Sequence, residues 1–173
     1  VLHRRARVQG QWLAERTVHL DNRQMAGRVG FFVLTPLALP DGSVLLVQRG
    51  WRARDFQDRS RLAPLPVPAG EVSIDGRLAR GPARLYEFDG AASGPIRQNL
   101  DLDAFARETG LALRPVLLVQ DSPAEDGLQR DWARPAADVH KHYGYAFQWF
   151  ALCALIGGLH VWFRILRPRR ARA

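Results

Sequence analysis

One stretch limits the folds open to this chain more than any other. Tyr143 to Phe163, YGYAFQWFALCALIGGLHVWF, runs for 21 residues without a formal charge. About 20 apolar residues are enough for a helix to cross a bilayer core. Five arginines follow, Arg164, Arg167, Arg169, Arg170 and Arg172. The pattern predicts a transmembrane helix over 140–166 and a basic tail over 167–173 on the cytoplasmic or matrix side, because positive flanks stay inside. Residues 1–139 then form a head on the opposite side. No apolar run lies near Val1, so either a first membrane element is expected ahead of it or the head hangs from a C-terminal anchor.

Charge supports this division. The formal net charge is +8, which invites a nucleic-acid reading. Its distribution argues otherwise: residues 1–139 hold 19 Arg against 17 acids, a net of +2, and residues 140–173 hold five Arg and one Lys with no acid, a net of +6. A nucleic-acid domain carries its charge on its own folded face. Here the basicity flanks the apolar run, where it meets anionic lipid headgroups, and no nucleic-acid partner is expected. The single cysteine, Cys153, sits within the apolar run and reads as a small packing residue.

The head reads as mainly β, a small antiparallel barrel or sandwich with one short helix. Strands are expected at Arg7–Ala14, Thr17–Arg23, Val29–Leu39, Val44–Val47, Glu71–Leu78, Leu85–Phe88, Ile96–Leu100 and Arg114–Gln120. Asp21-Asn22 reads as a turn, and Pro36 marks a sheet edge or bulge. Asp41-Gly42 is a two-residue hairpin signal joining Phe31–Leu39 to Ser43–Arg49. VLLV at Val44–Val47 is apolar without alternation, as in a strand buried on both faces. Arg52–Arg61 reads as a solvated loop or short helix, and Ala63–Gly70, APLPVPAG, as an extended spacer of polyproline character. Asp101 is a good N-cap for LDAFARETG, with Gly110 closing the helix. Asp121–Asp138 reads as a loop leading to the membrane.

Enzyme motifs are absent. The sequence holds no GxxxxGK[ST], GxGxxG, CxxC, HExxH or GxSxG, so their chemistries lack the required elements. Asp101 and Asp103 serve better as a helix start than as a catalytic carboxylate pair.

The histidines say more. His3 and His19 lack metal-ligand spacing and read as surface or turn residues. His140 and His142 flank Lys141 and point to different sides of a helix; beside Tyr143 and Tyr145 they suit a membrane interface. His160 lies deeper, where an ionisable group suggests function, yet only four residues before Arg164. His142 and His160 are 18 residues apart, five helical turns and roughly 27 Å. They share a face with Trp149 and Ile156 but cannot both ligate one haem within a molecule. Ala154 and Gly158 are small residues four apart, as in close helix packing.

Taken with upstream motifs, this stretch resembles the Surfeit-locus-one family of cytochrome c oxidase assembly proteins. HYGYAFQWF at His142–Phe150 is similar to the family's H-x-x-Y-A-x-Q-W-F at its second transmembrane helix. LDNR at Leu20–Arg23, TPL at Thr35–Leu37, VLLVQRGW at Val44–Trp51 and IRQNLD at Ile96–Asp101 fall in the family's order. Gln48 stands where the family has Asn, and Arg52-Ala53 replaces an apolar-Pro pair.

The resemblance implies a membrane-bound factor without enzymatic activity that assists insertion of haem a into oxidase subunit I, with haem a synthase a further partner. It places the head between two membrane helices, in the periplasm of a bacterial plasma membrane or in the mitochondrial intermembrane space. His142 corresponds to the haem-linked histidine, with Tyr145, Gln148 and Trp149 shaping the cofactor pocket and Arg49 and Trp51 contacting partners. The rival expectation is a haem-independent scaffold for the nascent subunit.

Overall fold

A computed structural model describes residues 4–55, 62, 64–85, 93–132 and 139–162. Two compact units divide at Trp132/Ala133. The first contains β1 (Arg5–Trp12), one 3-10 turn (Ala14–Arg16), β2 (Val18–Met25), β3 (Arg28–Ala38), β4 (Val44–Ala53), β5 (Glu71–Ala79), β6 (Ile96–Arg97), α1 (Leu102–Thr109) and β7 (Leu113–Gln120). The second contains α2 (Val139–Val161).

The seven strands form one sheet in the order β1-β5-β7-β4-β3-β2-β6, and β1 also pairs with β3 through Gln11–Ala38 and Trp12–Leu37. That last pairing closes β1-β5-β7-β4-β3 into a five-stranded barrel, with β2 and β6 extending it beyond β3. The expected antiparallel sheet is in fact mixed, since β4–β7 and β2–β6 are parallel. The long crossover from β4 to β7 brings them side by side in the same direction, as a Greek-key barrel of OB type requires.

The hairpin joining β3 to β4 forms where Asp41-Gly42 predicts it. Gly42 has φ 79°, and the Asp41 carboxylate accepts from the Ser43 N–H at 3.0 Å and the Ser43 hydroxyl at 2.6 Å. Every residue from Val44 to Trp51 is buried, as the unbroken apolar run suggests. Pro36 lies opposite Leu46, and its carbonyl accepts from Leu13 N–H at 2.9 Å. In a strand the N and C=O of one residue point to the same side. The missing proline N–H therefore faces away from β4, where the neighbour of β3 changes from β2 to β1.

Asp21-Asn22 does not end a strand. It forms a bulge inside β2, with Asn22 at φ 59° and a register shift between Leu20 and Arg23. The turn is made instead by Ala26-Gly27, at φ 49° and 74°, between paired Met25 and Arg28. β6 is only two residues long, shorter than the expected Ile96–Leu100. Leu85 is not in a strand; residues 86–88 and most of the 52–61 loop lie outside the described residues.

Two apolar clusters hold the head. Leu37, Leu45, Val47, Ile74 and Leu118 fill the barrel, with Val8, Trp12, Val72 and Leu78 against them. Leu46 alternates to the outer face, where Val18, Leu20, Leu34, Leu100, Phe105 and Leu117 pack beneath α1. The helix starts as expected: Asp101 accepts from Ala104 N–H at 3.0 Å, and Gly110 closes it at φ 71°.

α2 has 23 residues, and its described side chains from Tyr143 to His160 are exposed. Among the described residues, no helix is long and apolar enough to cross a membrane. The expected transmembrane span over 140–166 is thus unsupported. Tyr143, Gly144, Tyr145, Gln148 and His160 interrupt the apolar residues and lower the hydropathy of the segment. The basic tail, 167–173, lies outside the described residues.

Candidate functional site

The cofactor residues expected from sequence all fall on α2. At 100° per residue, Tyr145 and Trp149 lie within about 60° of His142, so the three form one stripe. Gln148 is about 120° round from His142 and faces another way. Tyr145 and Trp149 are 65% and 67% exposed, so their rings are free to cover an apolar partner. Of His142 the structure describes the helical backbone only. The stripe fits a haem in kind: an imidazole-bearing residue at one end, flat aromatic surfaces beside it, and no acid on the helix.

Arg49 and Trp51 were expected to contact partners. The structure places both inside the head, 2% and 1% exposed. Strand β4 carries them into the sheet, where both make internal contacts. The Trp51 indole donates to the Arg23 carbonyl at 2.8 Å. Its backbone pairs with Gln129 at 2.7 and 2.8 Å, fastening the 126–132 segment back onto the barrel. Trp132 completes that attachment, donating to the Gln120 carbonyl at 2.7 Å and setting its ring against Phe32.

Arg49 has a different role. Leu34 pairs with Gln48 and Val33 with Gly50, so Arg49 is the extra residue of a bulge in β4. Bulges re-aim side chains. Following inward Leu45 and Val47, Arg49 lies at the open end of the barrel with its guanidinium over Trp12 at 4.9 Å. Its Nη2 donates to Asp126 at 3.0 Å and to the Pro66 carbonyl at 3.1 Å. The same Asp126 oxygen accepts from Arg130 at 2.6 Å. Burial lowers the Arg49 pKa; Asp126 opposes that shift and Arg130 reinforces it.

Trp12, Arg49, Pro66 and Asp126 border a cavity of roughly 480 Å³ at the barrel mouth. Pro66, Val67 and Pro68 form one wall and Ser122–Asp126 another, with Val72, Ile74 and Gln120 at its base. The expected polyproline spacer therefore builds a wall. Sequence reading missed this assembly because its parts come from four distant segments. The one local signal was an arginine ending a buried apolar strand.

His19 also departs from expectation. It is 6% exposed on β2, edge-on to Phe31, with neither ring nitrogen hydrogen-bonded. Burial, with Arg52 adding to it, pushes its pKa down to about 4. Among the described residues, no group of three or more His, Cys, Asp or Glu could hold a metal ion.

Barrel, bulge and exposed aromatic helix define the class: a small OB-type head carried with an apolar helix. The chain belongs to the SURF1 family, whose model matches residues 1–154. It is also similar to a SURF1-like protein of Rickettsia bellii (strain RML369-C), 24% identical over 160 residues. That match covers 88% of this chain and 65% of the relative's length.

Proposed function

We propose that this chain is a membrane-bound assembly factor for cytochrome c oxidase that assists haem a insertion into subunit I. It has no bond-making chemistry of its own. The observation that carries this reading is the family's HYGYAFQWF motif set on an exposed helix, with His142, Tyr145 and Trp149 on one stripe. α2 provides the membrane attachment, because large apolar side chains from Tyr143 to Trp162 are exposed along it and an apolar helix surface is covered by lipid or by other helices. The head lies on the periplasmic side of a bacterial plasma membrane, with haem a synthase the supplier of the cofactor.

His142 would hold the iron through a neutral imidazole, and Tyr145 and Trp149 would cover the macrocycle, with Gln148 at the pocket's flank. Bound haem supplies the redox-active iron destined for the oxidase; this chain supplies only a ligand, an apolar wall and a position near the bilayer edge. Lys141, next to the ligand in sequence, offers a cation for propionates.

The test is the haem spectrum of the protein purified with its membrane segments after co-expression with haem a synthase. The expected result is a haem a signal that His142→Ala removes and His160→Ala leaves. No signal in the unsubstituted protein, combined with co-purification of an oxidase subunit unable to bind haem, would instead establish a haem-independent scaffold.

A further inference from the structure

The barrel mouth has features that holding the fold does not use. Among the described residues, Nε and Nη1 of Arg49 have no hydrogen-bond partner, although the side chain is 2% exposed. Nε of Arg130 and Oε1 of Gln120 are likewise unpartnered and buried. A buried polar group without a partner is destabilising, and more so when charged. Three of these atoms, on Arg49 and Gln120, belong to residues that line the cavity, and they point to a ligand that would satisfy them.

Charge indicates its sign. Two guanidiniums share the buried carboxylate of Asp126, leaving one positive charge uncompensated in the buried cluster, while the other carboxylate of the lining, Glu125, is exposed to water at the rim. The ligand is therefore an anion. Gln120 refines the choice. Its amide nitrogen donates to the Ser122 carbonyl at 3.1 Å and to the Ser122 hydroxyl at 3.4 Å. That fixes the amide orientation and leaves an acceptor for a ligand N–H or O–H. Most of the remaining lining, Trp12, Pro66, Val67, Pro68, Val72 and Ile74, suits an apolar body, with Ser73, Ser122 and Glu125 polar beside it. A cavity of roughly 480 Å³ is of the size that takes small ligands.

We propose that the barrel mouth binds the C-terminal carboxylate of a peptide chain. The carboxylate meets Arg49, the terminal amide N–H meets Gln120, and an apolar last side chain lies between Trp12 and the Pro66–Pro68 wall. Capture of chain ends by converging donors is a known recognition mode. An inorganic anion fills the charge but neither the Gln120 acceptor nor the apolar walls. The site lies within the head and does not depend on haem binding at α2.

Isothermal titration of the detergent-solubilised full chain tests this with four probes: N-acetyl-leucine, its amide, 4-methylpentanoate and inorganic phosphate. N-acetyl-leucine should bind at least tenfold more tightly than each of the other three. Ser73→Trp, an exposed position on the cavity rim, should abolish binding while leaving the fold intact by circular dichroism. Gln120→Leu should bring N-acetyl-leucine and 4-methylpentanoate to equal affinity. Arg49→Lys should weaken the acid at least tenfold; if that variant fails to fold, Ser73→Trp and Gln120→Leu decide. Equal binding of acid and amide, or unchanged binding in a folded Ser73→Trp protein, overturns the proposal, and tighter binding of phosphate reduces the site to a general anion site. Acetyl-alanyl-leucine against free leucine then separates a peptide terminus from a metabolite: a peptide site prefers the former.

Discussion

Acid should destabilise the head through His19 before it reaches the carboxylates. The imidazole is buried, has no hydrogen bond from either nitrogen, and has its pKa pushed down to about 4. Burial is the main cause, the positive charge of Arg52 the second. The Pro95 carbonyl, already accepting His19's own N–H at 2.7 Å, opposes them weakly. An unfolded histidine titrates near 6.5, so between pH 6.5 and 4 the unfolded state binds the proton and the native state does not. Stability is fully present above pH 6.5, falls as pH drops towards 4, and loses no more from this group below that. A difference of roughly 2.5 pH units corresponds to about 3 kcal/mol. Urea unfolding of the full chain in detergent at half-unit steps from pH 7.5 to 4 measures the loss. His19→Phe keeps a ring against Phe31 and removes two unpartnered polar atoms. It should be at least as stable at pH 7 and lack the decline between pH 6.5 and 4.5. Asp41, Asp75 and Glu108 titrate low because of their partners Ser43, Arg7 and Arg97, so their contribution is lost further down, near and below pH 4. Parallel curves for the two proteins across pH 6.5–4.5 would refute the buried neutral imidazole.

Three further substitutions probe separate parts of the head by the same unfolding measurement. Asp126→Asn leaves the buried Arg49 and Arg130 without their shared anion and should cost about 3–5 kcal/mol. Gly30→Ala puts a Cβ at 2.0 Å from the Arg52 carbonyl and 2.7 Å from the Trp51 ring; backbone cannot yield cheaply, so about 3 kcal/mol or more should be lost. Asp101→Ala removes the cap on Ala104 and should cost about 1 kcal/mol, since its exposed pairing with Arg84 adds little.

What was legible in the sequence was local. The Asp41-Gly42 hairpin, the doubly buried Val44–Val47, the Asp101 cap and the Gly110 stop each rest on chemistry within a few residues, and each formed. The parallel β4–β7 contact was not legible, because periodicity shows which faces a strand buries and not which strand lies beside it. Asp21-Asn22 has the residues of a turn, but they also suit the left-handed conformation of a bulge, and pairing with β3 on both sides decided between them. Ala26-Gly27 was overlooked because alanine rarely takes positive φ. Of the cofactor stripe, the order His142, Tyr145, Trp149 could be read from helical spacing alone. The barrel mouth could not, since no spacing rule joins Trp12, Arg49, Gln120 and Asp126.

The preference for arginine over lysine, 24 to one, also takes on meaning in three dimensions. Among the described residues, three arginines are buried in the head and each lies over an aromatic ring: Arg49 on Trp12 at 4.9 Å, Arg97 on Phe105 at 5.4 Å and Arg23 on Phe32 at 5.7 Å. Each also donates sideways, Arg97 through two nitrogens to both Glu108 oxygens at 2.9 Å, Arg23 to the Gln98 carbonyl at 2.6 Å. A flat guanidinium can stack and donate in its plane at once; an ammonium is more strongly hydrated and lacks that plane. Arg97 and Arg23 link strand β6 and the approach to α1 with β2 and the helix itself. Arg23 also keeps an unpartnered Nε, and Arg49 differs from both in that its unpartnered donors belong to a residue lining a cavity. The same residue type thus closes the head in two places and leaves it chemically open in a third, at the mouth of the barrel.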